Sequence, residues 1–571
     1  MAELVLCFFA TTLKLLFAFL VALAFKGALW VLNLFILAPL SDPLRRLPGP
    51  TAGYWENHFW ELIDPNQSPK THDVWTRRYG KTWRFHGFGA FDLRLVTFDS
   101  RAVDHVLNSP NYEKPWQTQR FLSRLIGQGV FAKEGQEHRW QRRILAPAFN
   151  SAALKEMYPI FVQKAEELRD RWDNIIGPSS SIPYPTPPST PPPGERESDT
   201  VDFSSTKNTS PETIIDVCDW MNRATLDVIG LAGFSYSFNS LTNKCEEVCS
   251  AYREMLQAAE KPPGFKELFA LWFPIIEDIL PDAATRAIRH SRKVINDAGH
   301  RIVTTKREDI LAKTHQIDYA PERDILSLLI KSNMSEDYTR RMTDEELMDQ
   351  ISTLLFAGSD TTSLAISWCL HHLSLNPRIQ ERLKEELQLL HSIEDMTLVD
   401  KLPYLNAVVQ ETLRLCPPAH STIRVAMEDD IIPLSYPIRL RGGAVTQEVH
   451  IRKGSYVHIP IEGLNMSKDI WGKDALTFDP DRWMCPGRLP ARHLGLADVM
   501  SFSQGPSSCI GWRFAILEMK VFISTVVRYF NFAPVAEIRR FNTVVTRPYV
   551  KDRLENGAQL PIKISRSHDR L

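Results

Sequence analysis

The most distinctive chemical setting in the sequence belongs to Cys509. It lies in Phe502-Ser-Gln-Gly505-Pro-Ser-Ser-Cys509-Ile-Gly511, a short loop that leads into an apolar helical pattern running to Val527. A cysteine at the first turn of a helix faces backbone N–H groups without partners and the positive end of the helix dipole, both of which favour thiolate over thiol. A thiolate is what a soft metal ligand requires. Gly505 and Gly511 allow the backbone to turn tightly and to approach a flat ligand closely. The eight cysteines include no Cys-x-x-Cys pair and no compact Cys/His cluster, so neither a structural zinc site nor a disulfide scaffold is supported. Considered alone, Cys509 reads more readily as a buried cysteine packed by its loop.

Three further constellations carry polar chemistry. Ala357-Gly358-Ser359-Asp360-Thr361-Thr362 falls in the middle of an apolar helical pattern that opens at Thr343. An Asp inside so apolar a helix needs a reason, and Gly and Thr there favour a local distortion of the helix. Glu411-Thr-Leu-Arg414 places a carboxylate and a guanidinium on one helix face. Such pairs are common and usually worth little. Phe478-Asp-Pro-Asp-Arg482-Trp483 supplies another arginine downstream.

Together these motifs carry a family resemblance. Phe-x-x-Gly, three residues, then Cys-x-Gly before a long helix resembles the haem-binding loop of the cytochrome P-450 family, the haem-thiolate monooxygenases. Ala-Gly-x-Asp-Thr-Thr resembles its oxygen-activation motif. Glu411 and Arg414, 98 residues ahead of Cys509 and just before Pro417-Pro418, stand as the family's Glu-x-x-Arg does. The motifs keep the family's order, and the general resemblance runs from about Pro48 to Ile564.

The resemblance implies haem b, with Cys509 as axial iron ligand and Phe502, Gly505 and Gly511 shaping its loop. It implies that Asp360 and Thr361 organise proton delivery, and that Glu411, Arg414 and Arg482 form a structural network. Haem propionates need cationic or donor partners, and His138 with Arg142 in Glu137-His138-Arg139-Trp140-Gln141-Arg142 offers a register that supplies them. Arg424 is a further candidate. One departure is visible: the family usually carries Arg or His two residues before the Cys, where this chain has Ser507.

The elements that must position these groups are mostly helical. Apolar spacing predicts helices over Ser151 to Ile176, Thr343 to Leu375, Pro377 to Leu390 and Tyr404 to Cys416. Acidic Asp344-Glu345-Glu346 marks a helix start, and Pro417-Pro418 a stop. Strand-like pieces occur at Leu93 to Thr97, Ile438 to Leu440, Val457 to Pro460 and Val544 to Thr546. The expected fold is mainly α with small β-sheets, the P-450 fold following an N-terminal anchor.

That anchor is assigned to residues 1–44. Leu4 to Leu40 contains only two charges, Lys14 and Lys26, and about 20 apolar residues suffice to cross a bilayer. One span fits, or two shorter segments divided at Lys26-Gly27. Arg45 and Arg46 then place the rest of the chain in the cytoplasm by the positive-inside rule. The catalytic domain is assigned to 45–571. It is interrupted at about 177–200 by a run with eight prolines in sixteen residues, which reads as an extended surface insertion.

With 67 basic and 68 acidic residues the chain lacks the basic excess of a nucleic-acid footprint. No Rossmann-type Gly-x-Gly-x-x-Gly is present, so electrons must arrive from outside. The resemblance implies an endoplasmic reticulum monooxygenase using O₂ and NADPH-derived electrons from NADPH-cytochrome P-450 reductase, with cytochrome b5 as an additional donor. Its expected substrate is an apolar small molecule, with Phe356, Ala357 and Ser421 to Ile423 among the pocket walls. Resemblance to fungal members of specialised metabolism suggests a terpenoid. Two other readings remain: a reductase-independent haem-thiolate isomerase or dehydratase, and a non-enzymatic haem-binding membrane protein.

Overall fold

The computed structural model describes residues 2–177, 212–242, 246–260, 279–313, 324–334, 341–490 and 495–567. The proline-rich run at 178–200 lies outside the described residues.

Ten helices matter for the site: α1 (Ala2–Leu32), α2 (Ser100–Asn108), α3 (Gly135–Leu145), α4 (Ser151–Ile176), α5 (Val217–Phe234), α6 (Glu246–Glu260), α7 (Asp344–Leu375), α8 (Pro377–Gln388), α9 (Pro403–Leu415) and α10 (Trp512–Tyr529). Their ends follow local chemistry. Thr343 Oγ1 accepts from Glu346 N at 3.1 Å while Glu346 Oε2 accepts from Thr343 N at 2.8 Å, a complete capping box at the start of α7. Pro377 begins α8, where its missing N–H costs nothing. At the start of α9 the orphan N–H groups of Tyr404 and Leu405 donate to the Glu386 carboxylate at 2.7 and 2.8 Å, so α8 caps α9.

The strands are β1 (Thr82–His86), β2 (Leu93–Thr97), β3 (Tyr112–Glu113), β4 (Glu212–Asp216), β5 (Thr422–Ala426), β6 (Asp430–Arg439), β7 (Val445–Ile451), β8 (Tyr456–Ile459), β9 (Phe530–Pro534), β10 (Ile538–Asn542), β11 (Thr546–Val550) and β12 (Pro561–Arg566). One sheet has the order β1-β2-β8-β5-β3, with β2 and β8 parallel and the other pairs antiparallel. A second, antiparallel sheet has the order β4-β12-β9, and β6-β7 and β10-β11 are hairpins. Val544 and Val545, expected in a strand, instead form the turn between β10 and β11; only Thr546 enters the ladder. Their β-branched side chains suit a strand, but tertiary packing decides.

Burial divides the body into two cores. The larger is helical and includes Phe161, Trp172, Phe234, Trp368 and Phe522. The smaller lies under the five-stranded sheet around Trp83, Phe85, Leu95 and Val457. Leu44 is wholly buried in this second core, so the body begins within the last few residues assigned to the anchor.

Helix α1 runs unbroken across Lys26-Gly27. A π-helical turn, Asn33–Leu37, and a further turn, Ala38–Ser41, continue it. The stretch Thr11–Ser41 is apolar, unburied and 31 residues long, or about 46 Å at 1.5 Å per residue. It is long enough for a single-pass anchor.

Candidate active site

The loop before α10 is held by its own backbone. Cys509 N donates to Phe502 O at 2.9 Å and Ser508 N to Gly505 O at 3.0 Å. Gly505 has φ +75°, and an added Cβ would lie 2.5 Å from Leu107 O at the end of α2; both strain and contact demand glycine. At Gly511 a Cβ would meet only Phe149, at an ordinary 3.5 Å. The protein around Gly511 therefore supplies no reason for a glycine there.

Helix α10 starts at Trp512 with Gly511 as its N-cap, placing Cys509 just ahead of the first turn. The Gly511 N–H donates to the sulfur, and the Arg142 charge also favours thiolate, but burial outweighs both and pushes the Cys509 thiol up. The expected thiolate is therefore not secured by the helix end alone, and binding a cation at the sulfur must expel the proton. Cys509 nonetheless retains open surface.

The face of α7 at the oxygen motif is open in the same way. Ala357 is exposed and Thr361 half-buried, while Phe356, Ser359, Asp360 and Thr362 are buried. Thr361 Oγ1 donates to Ala357 O at 2.7 Å, yet α7 remains α-helical throughout, without the expected interruption. Gly358 serves a neighbour: an added Cβ would lie 2.9 Å from Ile229 on α5, so glycine lets the two helices approach. Asp360 is fully buried and accepts from Arg547 Nη2, on β11, at 2.9 Å. Phe356 turns into the core, whereas Ser421, Thr422 and Ile423 are half-buried.

Glu411, Arg414 and Arg482 meet in one buried network. Arg414 Nε and Nη2 donate to the two Glu411 oxygens at 2.8 Å each, and Arg414 Nη1 donates to Asn465 O at 2.8 Å and Ala475 O at 2.6 Å. Glu411 also accepts from Asp479 N at 3.0 Å and Trp483 Nε1 at 2.9 Å, with Arg482 Nε 3.6 Å away. A fully desolvated pair with this many donors and acceptors is not the solvated helix pair that Glu-x-x-Arg usually makes.

The candidate propionate ligands occupy two places. His138 and Arg424 are buried within one charged cluster. Burial, with Lys114, Arg142 and Arg424 nearby, pushes His138 down to about 4, so near neutral pH it is an uncharged hydrogen-bond donor. Arg424 Nη1 donates to Thr422 Oγ1 at 2.6 Å and Ile423 O at 3.0 Å. Arg142 instead grips the cysteine loop, donating from Nη1 to Ser508 O at 2.6 Å.

Lys114 and Glu134, ion-paired beside His138, belong to the same cluster and carry no motif that would have marked them. Arg547 and Trp483 were missed as well; Trp483 lies inside a quoted motif, but its indole partner is not readable from spacing. The donor set fits a haem: a thiol with open surface, an open helix face of small residues, and buried donors and cations for acidic substituents. Cys509 would hold the iron, with His138, Arg142 and Arg424 toward the propionates.

A haem protein is thus the class that this fold and donor set fit. The Cytochrome P450 family model matches residues 197–551. Cytochrome P450 monooxygenase 205 of Postia placenta is 37% identical over 560 residues, covering 95% of this chain and 97% of that protein. Cytochrome P450 monooxygenase 128 of the same fungus is 34% identical, covering 94% and 95%, and cytochrome P450 monooxygenase claP of Ampulloclitocybe clavipes is 32% identical, covering 87% and 88%. The chain belongs to the cytochrome P450 family: it is a haem-dependent monooxygenase.

Proposed function

We propose that this enzyme takes two electrons from NADPH through a membrane-bound cytochrome P-450 reductase, with cytochrome b5 as an additional donor. It inserts one oxygen atom of O₂ into a C–H or C=C bond of an apolar small molecule. The anchor sits in the endoplasmic reticulum membrane with the body in the cytoplasm. The pathway is one of fungal specialised metabolism and the substrate a terpenoid. The observation that carries the reaction class is that Cys509, ahead of α10, and Ala357, one turn before Thr361 on α7, both keep open surface.

Haem, when bound, supplies the activation of dioxygen. The chain's own residues do the rest. Ala357 keeps open surface at the motif, and the Thr361 hydroxyl donates to Ala357 O on the same stretch of α7. Asp360, whose carboxylate is paired with Arg547, is the proton-handling group one residue away. The Glu411 network fixes α9 against the segment that precedes the cysteine loop.

The test is co-expression with a reductase and product analysis against terpenoid, polyketide and fatty-acid panels under ¹⁸O₂. A product carrying one ¹⁸O atom is expected. Turnover without NADPH would indicate the isomerase or dehydratase reading, and haem binding without substrate-stimulated NADPH consumption the non-enzymatic one.

A further inference from the structure

Strand β1 lies at the edge of the five-stranded sheet and gives Trp83 and Phe85 to the smaller core, which leaves Arg84 and His86 on its other face. Both are buried, Arg84 being only 4% exposed. Arg84 Nη1 meets His86 Nε2 at 2.7 Å. A guanidinium can only donate, so Nε2 accepts. Burial and the nearby Arg84 charge push His86 down to about 4, so near neutral pH the ring is uncharged and its single proton sits on Nδ1. His86 Nδ1 and Arg84 Nε are both buried donors with no hydrogen-bond partner among the described residues.

The charges around Arg84 do not offset its own. The two that act on it most strongly are Arg441 and Arg45, which repel it, followed by Asp42. Asp42 Oδ1 accepts from Leu44 N at 2.8 Å, and Asp92 is paired with Arg94 at 2.8 Å. Arg45 and Arg441 are exposed, and Arg441 N donates to Arg46 O at 2.8 Å, which ties the tip of the β6-β7 hairpin to the basic pair that follows the apolar helix. At Gly49 an added Cβ would lie 2.0 Å from Arg84 O, so only glycine lets this neck lie against β1. A buried guanidinium among like charges, with orphan donors beside it, is costly unless an anion completes it.

The source of such an anion follows from position. Arg45 and Arg46 come directly after the last turn of the apolar helix, Ala38–Ser41. Trp55, 71% exposed, stands beside Phe35 of that helix with ring centroids 6.1 Å apart, and exposed tryptophan favours the membrane–water interface. Three residues on, His58 Nδ1 accepts from His86 N at 3.2 Å. The same short segment thus joins an interfacial aromatic to the orphan donors.

We propose that Arg84, His86, Arg45 and Arg441 form a site for the phosphate of one anionic phospholipid at the junction of anchor and body. The proposal rests on the reading of the apolar helix as a membrane anchor. Guanidinium forks match phosphate oxygens. The exposed pair meets the headgroup, and the buried pair completes its hydrogen bonds.

The experiment titrates the full-length holoenzyme in neutral detergent with dihexanoyl phosphatidic acid, dihexanoyl phosphatidylcholine or inorganic phosphate and follows the melting temperature. Phosphatidic acid should raise it saturably and phosphatidylcholine should leave it unchanged. Inorganic phosphate, without acyl chains, should bind at least about tenfold more weakly; equal affinity would overturn the lipid assignment in favour of free phosphate. Arg84→Gln and the double variant Arg45→Gln/Arg441→Gln should each raise the apparent Kd for phosphatidic acid at least about tenfold. Exposed Lys155→Gln on α4 should leave it unchanged. If the double variant weakens binding and Arg84→Gln does not, the attraction is diffuse surface charge and the site is overturned, as it is if phosphatidic acid produces no shift. Should Arg84→Gln fail to fold, native mass spectrometry decides: one bound phosphatidic acid per chain, lost in the double variant, is expected, and several per chain would overturn the site. Flotation on phosphatidylcholine vesicles reports the anchor by itself, so failure of that reading and failure of the site are told apart.

Discussion

Arg142 Nη1 donates to the carbonyl oxygen of Ser508 at 2.6 Å, so the helix expected to serve a propionate also holds the residue next to Cys509, the proposed iron ligand. Arg142→Ala should therefore damage two things: haem retention and the shape of the cysteine loop. Loss of a charged hydrogen bond of this kind is worth about 1.5–3 kcal/mol. Ser507→Arg can restore a cation for the propionate but not the Ser508 contact. In a double-mutant cycle, haem transfer to an apo-globin should be partly rescued by Ser507→Arg, while thermal stability should not. Strictly additive effects on haem transfer would separate the two positions.

Removing the ligand itself has a sharper signature. Cys509→Ser should abolish the thiolate-type absorption of the CO-bound ferrous protein and all monooxygenase activity, because a neutral alcohol replaces the soft ligand. The backbone bond from Cys509 N to Phe502 O survives the change, so circular dichroism should report an intact fold.

In the Glu411 network, Glu411→Gln keeps shape but leaves the Arg414 and Arg482 guanidiniums buried together. Breaking a buried pair from one side costs about 3–5 kcal/mol. Soluble expression and haem content should both collapse, and a stably folded variant would show that the network is dispensable.

Acid should weaken the fold through its buried histidines. His72 is pushed down to about 4 by burial, and its Nδ1 has no hydrogen-bond partner among the described residues. It is neutral in the folded chain, while the unfolded chain takes up a proton below about 6.5. Stability from this residue is thus fully present above that value and lost progressively as pH falls toward 4. His72→Phe should reduce the loss between pH 7 and pH 5 by on the order of 1–2 kcal/mol, read from urea melts at both pH values.

The boundary between anchor and body sets a fifth test. Deleting residues 2–41 should give a folded haem protein needing less detergent. Deleting 2–47 removes Leu44 and Leu47, 0% and 3% exposed, and should cost about 2–5 kcal/mol per side chain. Equal melting temperatures for the two deletions would place the body's true start after Leu47.

Much of the frame was legible because it is local. Helix α4 and strand β2 fall on their expected residues, and the Thr343 capping box follows from a hydroxyl and a carboxylate three positions apart. The valines at 544 and 545 misled because strand propensity says nothing about where a hairpin must turn. Glu411, Arg414 and Arg482 are brought together as their motifs imply, but the Trp483 indole and the Asn465 and Ala475 carbonyls that complete the network are tertiary. Arg547 was invisible for the same reason: 187 residues separate it from Asp360.

The end of the apolar helix is not a loose tether. The Tyr54 hydroxyl donates to Phe35 O at 2.8 Å, and the Phe35 ring meets Phe91, on the β1-β2 hairpin, edge-on at 4.6 Å. Arg452 Nη1 donates to Ser41 Oγ at 2.9 Å, tying the last turn to the body from another side. With this helix as the anchor, its inclination in the bilayer is handed to the catalytic body as though through a welded joint. Bilayers of different thickness tilt a helix differently, so the height and pitch of the cysteine loop above the lipid would vary with the membrane in which the enzyme resides.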